Sequence, residues 1–176
     1  MNLYGFALFL HLLVLGGIFA IMGIVEFNFG RMRSPATLDD LRVAAAKAER
    51  TAKLFPILFV LLLATGAWLT GLQWPWSTPW VDVAIVGLVL IMGIGGGVLA
   101  PRMAKAGAAA RAANAMIDVP ADLTGNAALR YGTAANYGLV IAVMFVMVMK
   151  PDMTWGLLAL AVGLLAGVGI RKATER

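Results

Sequence analysis

Hydrophobic and polar positions fall into long blocks along this chain. Five apolar runs, at about residues 3–27, 54–72, 80–100, 132–149 and 153–170, alternate with polar connectors, the two longest at about 28–53 and 101–131. None of the runs alternates at period two, so they read as helices and not as barrel strands. In hydrocarbon a helix satisfies every backbone N–H and C=O within its own segment. At ~1.5 Å of rise per residue, about 20 residues cross a ~30 Å hydrocarbon core, and the first run is long enough to cross with tilt to spare. The predicted fold is all-α: a polytopic membrane bundle of five transmembrane helices forming one helical membrane domain, residues 1–176. Four helices is the alternative if the last apolar segment is re-entrant or peripheral, but MKPDM at 149–153 reads more simply as the turn of a helical hairpin.

The connectors carry their own signals. Ser34-Pro35 ends the first helix, Thr37 with Asp40 three residues on has the form of a capping box with Asp in place of Glu, and LDDLRVAAAKAER is rich in helix formers. A surface helix is therefore predicted from about Leu38 into the second span, whose start tolerates Pro56. QWPWSTPWVD brings Trp74, Trp76 and Trp80 together with two prolines and no basic residue, the composition of a short loop at an aromatic belt; a quinone, haem-edge or partner-protein contact is the functional alternative. AKAGAAARAANAMI can form a helix after the third span, and VPADLTGNAALRYGTAANYG reads as a turn leading into the fourth. Two GxxxG pairs, Gly93/Gly97 and Gly163/Gly167, mark faces that another helix, or a flat ligand, can approach closely.

Composition agrees with lipid as the main solvent: 61% of residues are hydrophobic and 13% charged, against about 45–50% and about 25% in soluble domains. The net charge of +5 is concentrated in the connectors, at Arg31, Arg33, Arg42, Lys47, Arg50 and Lys53, then Arg102, Lys105, Arg111 and Arg130, and in a tail with Arg171, Lys172 and Arg176. The loops after spans two and four are poor in Lys and Arg. By the positive-inside rule the N-terminus is then outside and the C-terminus cytoplasmic. This placement speaks for topology and against nucleic acid as a partner, since no soluble module offers a basic reading face. The absence of cysteine excludes disulfides, thiolate metal sites and thioether attachment of a c-type haem. Met1-Asn2 leads directly into a run too long for a signal-peptide core, so the first run is expected to be a retained helix.

One histidine exists, His11, inside the first apolar run, ~12 Å below its outer boundary at the helical rise. An imidazole at that depth calls for a cofactor, a proton path or an interhelical hydrogen bond. With a single imidazole per chain, a haem needs a methionine, an open site or His11 from a second protomer. Met92 and Met144 fall at neighbouring predicted depths, and His/Met ligation is sound chemistry for haem iron, although methionines in so apolar a chain also serve as packing. Gly16 and Gly17 leave bare helix surface beside His11, for a macrocycle or for a neighbouring helix, and Tyr4 shares the face of His11 one heptad earlier. Glu26 is expected to be neutralised by Arg31, Arg102 or Lys105, and Asn136 and Tyr137 to make hydrogen bonds between helices. There is no P-loop, GxSxG or HExxH, and IMGIGGG lacks the strand-turn-helix context of a nucleotide site.

LFLHLLVLGGIF, AERTAKLFPILFVLLLATGAWL and VMFVMVMKP together resemble a family of small bacterial integral membrane proteins, similar in outline to the copper-resistance-protein-D-like membrane proteins, whose first helix carries a comparable histidine. The resemblance covers about residues 3–151, leaves the fifth span as an addition, and carries over His11 alone. A bacterial membrane protoporphyrinogen oxidase also has a first-helix histidine, but its lysine-bearing third helix has no counterpart here. The resemblance implies the inner membrane of bacteria and a b-type haem at His11, serving electron transfer or assembly of a redox complex. The expectation of another class is a non-catalytic scaffold or accessory subunit, packed through glycine faces as a homo-oligomer or within a larger membrane complex. A transporter is a weaker third reading, since five spans show no evident inverted repeat.

Overall fold

The computed structural model describes residues 2–124 and 126–174, with Ala121 and Thr124 described by backbone alone. Arg176 of the basic tail lies outside them. Among the described residues the chain is helical without a strand: α1 (Leu3–Arg33), α2 (Leu38–Ala52), α3 (Phe55–Gln73), α4 (Pro79–Met92), a π-helical stretch (Gly93–Leu99), α5 (Ala100–Ala112), a 3-10 turn (Met116–Asp118), α6 (Ala121–Thr124), α7 (Ala127–Met149) and α8 (Met153–Thr174). Five helical stretches are long and apolar enough to cross a membrane, Leu3–Arg33, Leu38–Gln73, Pro79–Ala112, Ala127–Met149 and Met153–Thr174. Their surfaces are apolar: Phe27, Val60, Val148 and Leu165 are 69%, 65%, 74% and 70% exposed, a distribution that suits lipid and not water. The fold is that of a multi-pass membrane protein.

The helices outrun the apolar runs that predict them. α1 continues six residues past Phe27 and stops where expected, before Ser34-Pro35. Thr37 caps α2, accepting from the Asp40 N–H at 3.1 Å. The reciprocal half of a capping box is replaced, because the Asp40 carboxylate accepts from the Thr37 hydroxyl at 2.9 Å. The third span passes through the glycines at 93–97 without a break, as a π turn with the Ala100 N–H bonded to the Gly95 carbonyl, and continues into the alanine-rich α5. α7 begins five residues before Gly132, since the Asn126 side chain accepts from the N–H groups of Ala128 and Leu129 at 2.9 and 3.2 Å.

The chain divides into two compact units, residues 1–76 with 103–125, and residues 77–102 with 126–176. In the first, α1 packs on α2 and α3. Ile18, Ile21, Met22, Val25, Phe29 and Met32 of α1 are buried, as are Leu41, Ala44, Ala45 and Ala48 of α2. The Arg42 guanidinium caps the end of α5, donating to the carbonyls of Ala110 and Ala113 at 3.0 and 2.7 Å. Arg111 meets Glu49 at 3.1 Å, and Lys53 meets the same carboxylate at 3.3 Å. Hydrogen bonds from Arg111 and then Lys53 hold the Glu49 carboxyl below its ordinary range.

In the second unit α7 packs on α4, on the π-helical stretch and above all on α8. Between α7 and α8 backbone meets backbone. A Cβ added at Gly163 would lie 2.5 Å from the Gly138 carbonyl oxygen and 2.6 Å from the Ala142 methyl, and one added at Gly167 would run into the Ala134 carbonyl. Ala134, Gly138 and Ala142, spaced by four, form the row of small residues that receives the Gly163/Gly167 pair. Lipid offers no hydrophobic drive between helices, so this close van der Waals contact is what holds them together. Lys150 closes α7 in the left-handed region, φ 50°, with its ammonium 5.7 Å from the Trp80 ring centroid.

Candidate functional site

His11 sits in the first unit, between α1 and α3. Three pairs define the packing there. The Phe6 and Trp68 rings meet edge to face at 6.3 Å, His11 meets Thr65, and a Cβ at Gly17 would touch Leu58 at 3.7 Å. The pairs climb one helix while descending the other, which makes α1 and α3 antiparallel neighbours in constant register. His11 lies eight residues into α1 and Thr65 eight residues before the end of α3, each ~12 Å from its helix end at the helical rise.

The imidazole Nδ1 lies 2.9 Å from the Thr65 Oγ1. That hydroxyl also donates within its own helix, toward the Leu61 carbonyl at 2.8 Å and the Leu62 carbonyl at 3.1 Å. A glycine makes room for the ring: a Cβ at Gly66 would stand 3.4 Å from the His11 Cε1 and 3.8 Å from Nδ1. Of the readings open for His11, the interhelical hydrogen bond is thus present in the structure. The chain of bonds ends on carbonyls, which have no proton to pass on, so this side of the ring is not a proton path. The Leu62 backbone carbonyl also reaches the ring as a hydrogen-bond acceptor.

Gly16 is exposed, and a Cβ there would meet nothing within 4 Å, but five residues on it lies about 140° around α1 from His11. Gly17 instead faces Leu58. Met92 and Met144 belong to the second unit, 45% and 38% exposed. A single imidazole tied at Nδ1 to Thr65 leaves Nε2 as the ring nitrogen that would hold a haem iron. Among the described residues no group of three or more His, Cys, Asp or Glu side chains gathers to hold a metal ion.

Thr65 and Gly66 are absent from the sequence-derived candidates. Their signal was one of register, a Thr-Gly pair as far from the tryptophan loop as His11 is from the start of α1. Other polar groups partner differently from expectation. Glu26 pairs with Arg33 on its own helix at 3.3 Å, while Arg31 goes to Asp40 at 3.4 Å and Arg102 donates to the Val98 carbonyl at 2.9 Å. The Asn136 amide does bridge helices, donating to the Ile91 carbonyl at 3.4 Å, and its Oδ1 is buried with no partner among the described residues. The two GxxxG pairs separate. Gly163 and Gly167 are filled by α7, whereas Cβ atoms at Gly93 and Gly97 would meet nothing within 4 Å. Comparison with models of protein families, with curated proteins and with solved structures finds no match to this chain.

Proposed function

We propose that this is a multi-pass protein of the bacterial inner membrane, N-terminus outside and C-terminus cytoplasmic, that binds haem b through His11 and serves electron transfer or the assembly of a redox complex. The observation that carries the reading is the imidazole held at Nδ1 by Thr65, which leaves the other ring nitrogen for a ligand. Metal-bound histidines almost always donate through their other ring nitrogen in this manner. The first-helix histidine shared with the copper-resistance-protein-D-like proteins supports it. A haem supplies one-electron chemistry. His11 would hold the iron, while the apolar flanks of α1 and α3 exclude water. With one imidazole per chain, a second ligand would come from a methionine such as Met92 or Met144 or from His11 of a second copy, or that position would stay open.

Absorption spectra of the detergent-purified protein, oxidised and dithionite-reduced, test the reading. A Soret band that His11→Ala abolishes is expected. A protein that lacks the band after expression with added haem precursor, or a band indifferent to His11→Ala, overturns it. A second reading, a scaffold that packs with other chains, is favoured by the open backbone at Gly93, Gly96 and Gly97. It expects Gly93→Leu to reduce cross-linked oligomers without changing the thermal midpoint of the remaining protomer.

A further inference from the structure

We infer that Thr65 is a positioning residue that fixes the proton of His11 on Nδ1 and so presents Nε2 as a bare lone pair. The count of protons decides which group donates. The Thr65 hydroxyl has one, and it is directed to the carbonyls of Leu61 and Leu62 at 2.8 and 3.1 Å. Toward His11, 2.9 Å away, the same oxygen therefore accepts, and the ring donates from Nδ1.

The other tautomer is poorer by one bond. With the proton on Nε2, Thr65 would have to turn its hydroxyl away from the helix carbonyls to donate to Nδ1, and that bond within α3 is lost. One net hydrogen bond corresponds to a population ratio on the order of tenfold. Gly66 lets the ring lie close to α3, since even a Cβ there would already be in contact with Cε1. A neutral imidazole with Nδ1–H and a bare Nε2 is the form that coordinates a metal. This assignment rests on the haem reading only for what Nε2 binds, because the tautomer is a property of the protein without ligand.

The chain has one histidine, so ring-labelled protein gives a single pair of nitrogen resonances and needs no assignment. In micelles at neutral pH without haem, we expect Nδ1 protonated and Nε2 bare in the parent and in Thr65→Ser, and a mixture or the Nε2–H form in Thr65→Val. Titration with haemin should then show Thr65→Val binding about 10- to 100-fold more weakly, with Thr65→Ser close to the parent. A parent with its proton on Nε2, or a Thr65→Val ring unchanged from the parent, overturns the inference. If the ring resonances behave as expected and the parent binds no haemin, the haem reading falls and the tautomer assignment stands.

Discussion

At Gly16 a methyl group would meet open space, so Gly16→Ala should raise the thermal midpoint of the haem-free protein, by about 0.5–1 kcal/mol of helix propensity. Gly163→Leu is the contrasting case, with the Gly138 backbone in the way. Backbone cannot rotate aside as a side chain does, and a loss of at least ~2 kcal/mol is expected in detergent melts. Lys150 offers a test of backbone strain. Gly and Val both delete the ammonium over Trp80, but only Gly accepts the left-handed region, so Lys150→Gly should melt above Lys150→Val by about 1–2 kcal/mol.

Among the elements, α2 and α5 show how a polar tie differs from a surface ion pair. Arg42 satisfies two carbonyls at the end of α5, so Arg42→Ala should cost about 1–3 kcal/mol and open residues 103–118 to hydrogen exchange, and Lys should not rescue it. Arg111→Ala removes only an exposed partner of Glu49, and its effect on the melt should be slight. Because the Glu49 carboxyl is held below its unfolded value of 4.5, what this pairing contributes is complete above that pH and is lost as the pH falls through the depressed value.

The break at Ser34-Pro35 and the cap at Thr37 were legible in the sequence, since both are local chemistry. Where the spans end was not, because hydropathy marks the stretch that suits hydrocarbon while the helix runs on through Ala-rich α5. The two GxxxG pairs look alike as letters. Their fates differ because one meets the small row Ala134, Gly138 and Ala142 and the other meets no side chain or backbone. Thr65 was hidden for a related reason: it lies 54 residues from its partner, within a run read for its apolarity.

For the whole molecule, orientation can be tested directly because the chain has no cysteine of its own. With the N-terminus outside, a membrane-impermeant thiol reagent should label Ser77→Cys in intact spheroplasts and Lys47→Cys only after permeabilisation. Both positions are exposed. The reverse pattern would invert the topology and move His11 to the cytoplasmic half of the bilayer.

The contact between α7 and α8 bears also on how the chain enters the membrane. Lys150, Pro151 and Asp152 alone separate the two helices, a link of at most ~10 Å when extended. The short link keeps α7 and α8 neighbours as the chain inserts. Truncation after Met149 would leave Gly138 facing lipid instead of Gly163, so insertion of α7 should be less complete without α8, as read by protease protection.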